Sequence, residues 1–398
     1  MFTNHRETFL EINLDNIEHN FNEIKRIVND KTIIMPVIKA NAYGHGSVVL
    51  AKKYLQIGAA RFAVSILDEA IELRRENINV PILMLNYTSP TRYEEVLLYD
   101  LIQTIYKYED AKKLSQKAMG LGKTAKIHIK IDTGMGRLGF LPTDESIDEI
   151  LKISTLPNIS IEGIFTHFAK ADEKDKTETI EQFNKFMHMV NQLEQRGLSI
   201  ELKHVSNSAA IIDISEYNLD LARPGIILYG LYPSDEVNKN RINLRPAMTL
   251  KSIISNIKNV PTNTGISYGH KFMTKKPSKI ATVPIGYADG YTRLLSNKGK
   301  VFVNGQLANV VGNICMDQLM IDVTEIQNVN IGDEVVLFGD KEEGYPHVDE
   351  IAKSIGTINY EITCMINRRV PRVYIENGKI TEIVEYLTDW YNYWHGFY

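Results

Sequence analysis

The chain has 398 residues, of which 44% are hydrophobic and 24% are charged. This ordinary globular balance excludes a disordered or collagen-like chain, and the length suggests two or three domains, or one large barrel with a smaller partner domain. The 45 basic and 49 acidic residues leave a net charge of −4, which argues against nucleic acid or an anionic membrane as the main partner.

The N-terminal segment and the cysteine content favour a cytoplasmic protein. The first residues lack the apolar core of a secretory signal. The sequence also has no run of about 18 apolar residues, the length that a membrane-spanning helix needs. Cys315 and Cys364 are too few for a disulfide framework or a four-ligand zinc site, which is consistent with a reducing compartment. We therefore expect a cytoplasmic protein without a metal centre.

The first 230 residues alternate short apolar runs with longer amphipathic ones. Asp15 is predicted to cap a helix whose apolar residues recur at helical spacing from Ile17 to Val28. Eight apolar runs follow, mostly separated by helical patterns, and this α/β alternation favours an N-terminal (β/α)8 barrel of the TIM type. A doubly wound sheet is the alternative, because four of the runs are only four or five residues long. The predicted strands are Ile33–Lys39, Arg61–Ser65, Val80–Leu85, Leu101–Thr104, Lys126–Ile131, Ile161–His167, Lys203–Asn207 and Leu219–Arg223.

The sequence pattern changes near residue 240, where a polar segment predicts a linker over Asp235–Arg245. Beyond it, Asn304-Gly305 and Asn377-Gly378 each lie between alternating apolar residues, which is the strongest short-range signal of a β-hairpin. We therefore predict a barrel domain over residues 1–240 and a mostly β C-terminal domain over 241–385. The aromatic tail, 386–398, has no predicted role.

Several reactive residues end the predicted strands, and the active sites of such barrels lie at the carboxyl ends of their strands. Lys39 ends the first run, where burial lowers the pKa of a lysine and frees the amine as a nucleophile, although a lysine with its ammonium in solvent fits equally well. Arg137 lies in a glycine-rich loop after the fifth run, where a guanidinium suits a carboxylate or a phenolate oxygen. His167 ends the sixth run and is also compatible with simple packing.

The last two runs end in groups that suit a phosphate. Ser208 directly follows the seventh run, Arg223 ends the eighth and needs an acceptor, and Gly225 offers a backbone N–H two residues later. Lys130 lies inside the fifth run, where its charge must be paired or chemically masked. A lysine amine, phosphate-binding groups and an arginine at one mouth of a barrel favour pyridoxal 5′-phosphate as the cofactor.

Nine motifs in this order resemble the alanine racemases, a bacterial family of pyridoxal-phosphate enzymes of fold type III, and the likeness runs from about residue 8 to 375. The resemblance implies an N-terminal barrel, a β C-terminal domain and a homodimer in which each active site is completed by the partner's second domain. It also implies interconversion of L- and D-alanine, with D-alanine supplied for peptidoglycan. The motifs are VIKANAYGHG, KIDTGMGRLG, THFA, HVSNSAA, LARPGIILYG, ISYGH, PIGYADG, GNICMDQ and TINYEI.

The resemblance further implies roles for individual residues of this chain. Lys39 matches the lysine that binds the cofactor and acts as one base, and Tyr268 matches the opposite base, supplied by the partner chain. Arg223 matches the arginine bonded to the pyridine nitrogen, and His167 matches the histidine between Tyr268 and Arg223. Arg137 matches the arginine near the cofactor phenolate and the substrate carboxylate, and the backbone of Met316, again from the partner, matches the other carboxylate contact.

The remaining matches concern the phosphate, the entrance and a modified lysine. Lys130 matches a lysine that is carbamylated in several members of the family, and an ammonium paired with a carboxylate is the alternative. The phosphate shell would comprise Tyr43, Ser208, Gly225, Ile226 and Tyr360, and the entrance would be narrowed by Tyr287 and Tyr360.

Three other functions are compatible with parts of this pattern. A racemase of serine or another small amino acid would share the chemistry, but Tyr287 and Tyr360 favour a methyl side chain. A barrel decarboxylase acting on a diamine precursor is disfavoured by the CMDQ and ISYGH motifs. A non-catalytic protein that binds pyridoxal phosphate is typically a barrel alone, whereas this chain has a second domain.

Overall fold

A computed structural model describes residues 5–388, so residues 389–398 of the predicted aromatic tail lie outside the described residues. Contacts between Cα atoms divide the described chain into two units. The barrel unit comprises 18–42 and 46–244, and the C-terminal unit comprises 5–17, 43–45 and 245–388. None of the helices within 5–388 is long and apolar enough to cross a membrane.

The chain begins with β1 (Phe9–Asn13) and α1 (Leu14–Ile27). Asn13 caps this helix, since its Oδ1 accepts the N–H of Asn16 at 2.9 Å. The prediction that Asp15 is the cap was therefore wrong. Asp15 lies in the first helical turn, where its negative charge suits the helix N-terminus.

The barrel unit contains eight short parallel strands. The second to the seventh of these strands form one sheet in chain order, and the first of the eight pairs with the eighth. A bridge between Val37 and Ala63 joins the first strand to the second, and the N–H of Arg223 donates to Ser206 O at 3.0 Å between the last two. The strands close into a ring, which confirms the (β/α)8 barrel over the doubly wound sheet. They are β2 (Ile33–Ile34), β3 (Phe62–Val64), β4 (Ile82–Met84), β5 (Ile102–Ile105), β6 (Ala125–Lys130), β7 (Ile159–Phe165), β8 (Leu202–His204) and β9 (Leu221–Ala222).

The helices of this unit lie between the strands and bury one apolar face each. In α6 (Asp144–Ser154), for example, Ile147, Ile150 and Ile153 recur every three residues and are buried, each contributing about 1.5–3 kcal/mol by leaving water. Thr143 caps that helix by accepting the N–H of Ser146. The helices are α2 (Ser47–Gln56), α3 (Leu67–Arg75), α4 (Tyr93–Leu98), α5 (Tyr108–Leu121), α6 (Asp144–Ser154), α7 (Thr177–Gln195) and α8 (Ser208–Asp213).

The C-terminal unit is mostly strand. Its main sheet has ten strands, and two further strands, β12 (Gly265–Ile266) and β13 (Phe272–Met273), form a separate pair. Its strands after β1 are β10 (Met248–Ile253), β11 (Asn256–Val260), β12 (Gly265–Ile266), β13 (Phe272–Met273), β14 (Ser278–Val283), β15 (Lys300–Val303), β16 (Gln306–Val310), β17 (Leu319–Asp322), β18 (Glu334–Phe338), β19 (Arg372–Glu376) and β20 (Lys379–Val384). Its helices are α9 (Val348–Ile355) and α10 (Asn359–Cys364). The main sheet runs in the order β11-β14-β17-β16-β15-β18-β10-β1-β19-β20.

Both predicted hairpins are present in this sheet. Asn304 and Gly305 join β15 to β16 with φ of 46° and 80°, and Asn377 and Gly378 join β19 to β20 with φ of 51° and 69°. Two successive positive φ angles are the requirement of the tight turn that matches strand twist. The Asn-Gly signal therefore predicted the turn chemistry as well as the strands.

The strand β1 differs from the predicted domain limits. The sequence places residues 1–240 in one domain, whereas the structure pairs β1 with β10 on one edge and with β19 on the other. Both partners are far along the chain, and local periodicity carries no information about such distant pairing. The boundary at residues 240/241 itself stays a prediction.

Candidate active site

Lys39 begins a left-handed turn that follows β2. A left-handed conformation costs roughly 1–2 kcal/mol for a residue with a side chain, so four in succession need support from their surroundings. The N–H of Ala42 donates to Ile38 O at 2.9 Å, and the N–H of Ala40 donates to the Glu69 carboxylate at 2.6 Å. Such concentrated strain is typical of functional sites. The residues with positive φ are Ala40, Asn41, Ala42 and Tyr43, at 52° to 54°.

The end of β9 lies beside this turn in the barrel unit. The N–H of Val37 donates to Pro224 O at 2.9 Å, which brings the chain leading to Lys39 next to the segment that carries Arg223 and Gly225. The N–H of Gly225 donates to Ser208 Oγ at 2.9 Å. Because the hydroxyl of Ser208 accepts this bond, its own proton is left to donate to a ligand.

These donors fit a phosphate group. Ser208 Oγ and Gly225 N are within hydrogen-bonding distance of each other, and Ile226 follows directly in the same buried segment. A cluster of hydroxyl and backbone N–H donors without a carboxylate is the chemistry that a phosphate monoester needs. Of the predicted phosphate residues, these three occupy one place in the barrel unit.

Arg223 is almost completely buried, with 4% of its surface exposed. Its Nη2 donates to Thr166 O at 2.7 Å and to Val205 O at 2.9 Å, and its Nη1 donates to His204 Nδ1 at 2.7 Å. Nη2 also lies 3.5 Å from His167 Nδ1. Burial lowers the pKa of Arg223 to about 9, so the guanidinium stays charged at neutral pH and its orientation is fixed by its acceptors.

Two further predicted residues share this buried region. Burial, with the positive charges of Arg223 and Lys130, holds the pKa of His167 well below 6.5, so this ring is neutral. Lys130 Nζ donates to Ile131 O at 2.7 Å and lies 5.4 Å from the centre of the Phe165 ring. Burial and the nearby Arg223 lower the pKa of Lys130 to about 7. A substantial fraction of this amine is therefore neutral at physiological pH.

The glycine-rich loop is shaped by Asp132, which the sequence reasoning missed. Its carboxylate accepts the N–H groups of Gly134 and Gly136 at 3.0 Å and of Arg137 at 2.9 Å. Burial alone would raise the pKa of Asp132, but these three donors bring the pKa below its usual value. A Cβ on Gly139 would lie 2.3 Å from Asp132 N. The loop thus has one shape, and the Arg137 side chain is exposed from it.

Three other predicted residues form a cluster of loops in the C-terminal unit, here called the loop cluster: Tyr268, Tyr287 and Met316. The N–H of Tyr287 donates to Cys315 O at 3.0 Å, next to Met316, and Asn313 Nδ2 donates to Tyr268 O at 2.7 Å. The loops approach this closely because Gly286 has no side chain, since a Cβ there would lie 2.3 Å from the carbonyl oxygens of both Cys315 and Met316.

The loop cluster is exposed. Tyr268 has 73% of its surface accessible, Met316 has 53% and Tyr287 has 43%. Large apolar side chains held together at a surface by rigid loops are typical of interaction sites. The remaining predicted residues, Tyr43 and Tyr360, also lie in the C-terminal unit, with ring centres 6.0 Å apart.

The sequence reasoning also missed His128 and Glu162. His128 lies 2.8 Å from His204, the ring that accepts from Arg223, and Glu162 lies 3.1 Å from His128. The available signal was a pair of polar residues two positions apart in a buried strand, since His128 and Lys130 share one face of β6.

Comparison with known proteins agrees with this organisation. Residues 12–233 match the family model of the alanine racemase N-terminal domain, and residues 247–374 match that of the C-terminal domain. Alanine racemase of Clostridium tetani is 53% identical over 388 residues, covering 97% of this chain and all of that protein.

Solved structures show the same fold. Alanine racemase of Clostridium difficile 630 has a TM-score of 0.93 at 48% identity, covering 96% of this chain and 99% of that one. Alanine racemase of Bacillus anthracis with bound L-Ala-P has a TM-score of 0.92 at 38% identity, covering 97% and 99%. The chain therefore belongs to the alanine racemase family, the pyridoxal-phosphate-dependent isomerases that interconvert the two enantiomers of alanine.

Proposed function

We propose that the chain interconverts L- and D-alanine with two bases, Lys39 on one face of the substrate and Tyr268 of a second copy on the other. The observation that carries this proposal is the hydrogen bond between Val37 and Pro224, which brings the turn of Lys39 beside Arg223 and Gly225. Pyridoxal phosphate, when bound, supplies the electron sink that makes the α-proton of alanine removable.

The two bases move one proton each. Lys39 Nζ takes or returns the α-proton on the face of the D-enantiomer, and Tyr268 Oη does so on the face of the L-enantiomer. His167 supports this assignment, because its Nδ1 faces the Arg223 guanidinium. A neutral ring that accepts at Nδ1 carries its proton on Nε2, where it can donate to a tyrosine oxygen.

The other residues hold the cofactor and substrate. Ser208 Oγ and the N–H groups of Gly225 and Ile226 would bind the phosphate, with the hydroxyls of Tyr43 and Tyr360. Arg223 would donate to the pyridine nitrogen without transferring its proton, since its pKa of about 9 keeps it protonated at neutral pH. Donation without proton transfer would limit how much negative charge the cofactor ring takes up. It would therefore disfavour return of the proton to a carbon other than the α-carbon of alanine.

We infer that the working unit is a homodimer with shared sites. Tyr268, Met316 and Tyr287 are exposed in this chain, whereas a base must be shielded from water by its substrate pocket to act selectively. Contact of the loop cluster with a second copy would provide that shielding. The backbone of Met316 and the side chain of Arg137 would then hold the substrate carboxylate from opposite chains.

Two finer features follow from the same site. We propose that Lys130 is carbamylated, since a pKa of about 7 supplies the neutral amine that reacts with carbon dioxide, and the resulting anion could orient Arg137. Flat electron density at Lys130 Nζ in a high-resolution map would contradict this. Tyr287 and Tyr360 would narrow the entrance and favour alanine over serine.

A cytoplasmic location and the supply of D-alanine for peptidoglycan complete the proposal. The location is supported by the two cysteines of the chain, Cys315 and Cys364, which are too few for a disulfide framework and suit a reducing compartment.

Proton exchange in D₂O tests the mechanism. Purified protein with added pyridoxal phosphate is incubated with L-alanine and followed by proton NMR and chiral chromatography. We expect D-alanine to form while the α-proton is replaced by deuterium. Loss of the α-proton with retention of the L-form would show a single working base and contradict the role of Tyr268. No exchange with cofactor bound would contradict alanine as the substrate.

A further inference from the structure

A chain of buried side chains leads from Arg223 through the barrel unit. Arg223 Nη1 lies 2.7 Å from His204 Nδ1, and His204 Nε2 lies 2.8 Å from His128 Nδ1. His128 Nε2 lies 3.1 Å from one oxygen of Glu162, and Arg61 donates to the other oxygen at 2.7 Å. Both histidines are fully buried, and the side chains of Glu162 and Arg61 are 18% and 16% exposed.

The two ends of this chain fix where every proton lies. A guanidinium can only donate, so His204 Nδ1 must accept. Burial, with Arg223 and other nearby cations, holds the pKa of His204 well below 6.5. The ring is therefore neutral, with its single proton on Nε2, from which it donates to His128 Nδ1. By the same reasoning His128 carries its proton on Nε2 and donates it to the carboxylate.

Glu162 is the acceptor that completes this sequence. Burial alone would raise the pKa of Glu162, but the hydrogen bonds from His128 and Arg61 lower the pKa to about 2. Burial also lowers the pKa of His128, so this ring stays neutral beside the carboxylate. All four hydrogen bonds in the chain therefore point toward Glu162, from Arg223 on one side and from Arg61 on the other.

The backbone is adapted to this arrangement. Ile127 pairs with Ile161 but His128 pairs with Gly163, which leaves Glu162 as an extra residue in β7. Such a bulge turns a side chain into a new direction. A Cβ on Gly163 would lie 2.5 Å from the His128 ring, so only glycine leaves room for the imidazole. The Phe165 ring stacks on His204 with centres 4.7 Å apart.

We propose that Glu162 is a positioning residue for the reaction, which acts through His128 and His204 to keep Arg223 oriented as a donor toward the cofactor. The inference rests on the proposed function, because it requires that Arg223 faces the pyridine nitrogen. Without an acceptor at Glu162, His128 could carry its proton on Nδ1 and donate it to His204 Nε2, which would leave the His204 proton on Nδ1. An N–H group would then point at the guanidinium, and Arg223 would lose an acceptor that fixes its position.

The test reads the proton positions directly. Holoenzyme labelled with ¹⁵N-histidine is studied by long-range ¹H–¹⁵N correlation spectra, with His128 and His204 assigned from single His→Gln variants. In the wild type we expect both rings to be neutral with the proton on Nε2. Glu162→Gln should keep this pattern, because its amide oxygen still accepts from His128 Nε2. Glu162→Leu should lose it at one or both rings and lower kcat by about tenfold to hundredfold, as removal of a supporting residue typically does.

Asp213→Asn is the matched control. Asp213 pairs with Lys176 at 2.6 Å, and their side chains are 7% and 17% exposed, so this substitution disrupts a comparably buried ion pair that is not part of the chain to Arg223. We expect it to leave both histidine tautomers and kcat near the wild-type values.

Three results would overturn the inference. A proton on Nδ1 of either ring, or a doubly protonated ring, in the wild type at neutral pH would do so even if no variant folds. So would an unchanged tautomer pattern in Glu162→Leu, or an equal loss of kcat in Glu162→Gln and Glu162→Leu. A wild-type protein with the expected tautomers that fails to racemise alanine would instead refute the proposed function and leave the proton arrangement standing.

Discussion

The barrel unit and the C-terminal unit hold their candidate site residues in opposite ways. In the barrel unit Arg223 and Ser208 are 4% and 5% exposed and are fixed by several hydrogen bonds. In the C-terminal unit Tyr268 and Met316 are 73% and 53% exposed on loops held together by a close approach at Gly286. Burial within one chain fixes the orientation of the residues in the barrel unit. We infer that the exposed residues of the C-terminal unit are instead shielded by contact with another copy.

Lys39→Ala should have the largest effect, because it removes the base that we propose in the barrel unit. We expect racemisation to fall by at least about a thousandfold, since a positioned base contributes about 10²–10⁴-fold and the same amine binds the cofactor. The measurement is the rate of D-alanine formation with added pyridoxal phosphate. Lys52→Ala is the control, because this lysine pairs with Glu76 at the surface and should leave the rate unchanged. Substantial activity in Lys39→Ala would exclude it as a base.

Mixing two inactive variants tests whether Tyr268 acts in the active site of a second copy of the chain. Lys39→Ala and Tyr268→Phe are unfolded together, refolded and assayed. If Tyr268 acts on the other copy's site, a mixed dimer has one site with both bases intact. Half of the dimers are mixed and one of their two sites works, so we expect about a quarter of the wild-type activity. If Tyr268 acted within its own chain, every site would lack a base, and activity would stay near that of the separate variants.

Gly286→Ala should damage the loop cluster without damaging the barrel unit. An added Cβ would lie 2.3 Å from two carbonyl oxygens, and such overpacking typically costs about 1–3 kcal/mol. We expect kcat/KM to fall by about tenfold to hundredfold. Gly120→Ala is the matched control, because nothing lies within 4 Å of the added carbon and alanine favours the helix. A normal rate in Gly286→Ala would show that the loop spacing does not matter.

Lys130→Met tests how burial acts in the barrel unit through its pH dependence. The pKa of Lys130 is about 7 in the folded protein and about 10.4 in an unfolded chain. Between these values the unfolded chain binds the extra proton, so the stability that this residue contributes rises with pH and is lowest below pH 7. We expect the variant to be more stable than the wild type by about 2 kcal/mol near pH 6. The variant no longer bears the cost of burying the amine, and this gain exceeds the loss of the hydrogen bond to Ile131.

This gain should disappear as the pH approaches 10. The measurement is urea unfolding in bicarbonate-free buffer across this range, with the exposed Lys31→Met as the control. Bicarbonate-free buffer keeps Lys130 as the plain amine, so a variant that is less stable than the wild type at pH 6 would contradict an amine whose pKa is lowered by burial.

The two units also differ in how far the sequence predicted them. The eight barrel strands and the hairpins at Asn304 and Asn377 were predicted because each depends on a few neighbouring residues. The pairing of β1 with β10 and β19 was not, because it joins distant segments. The left-handed turn after Lys39 was not, because residues with side chains rarely adopt it.

The residue-by-residue assignment of the site stays a prediction, which rests on positions at the ends of strands and on motifs that resemble a known family. Such motifs point to the groups that we propose touch cofactor or substrate, including Lys39 and Tyr268. They did not identify Asp132 or Glu162, which act on other residues of the protein. The position of Glu162 depends on a bulge in β7, and alternation within a strand predicts the opposite face for any residue that follows such a shift.

Tyr287→Ala should have the smallest effect and concerns the specificity that the loop cluster adds to the barrel site. If Tyr287 narrows the entrance, its removal admits a larger side chain, and a few missing atoms in a pocket wall change discrimination by about 1–3 kcal/mol at most. We expect kcat/KM for L-serine relative to L-alanine to rise by up to about tenfold, mainly because the serine value increases. Tyr87→Ala removes a tyrosine of the barrel unit that is 54% exposed, against 43% for Tyr287, and should leave the ratio unchanged. A wild-type protein that already prefers serine would make serine the substrate of this chain. An unchanged ratio in Tyr287→Ala would show that Tyr287 does not set the discrimination between alanine and serine.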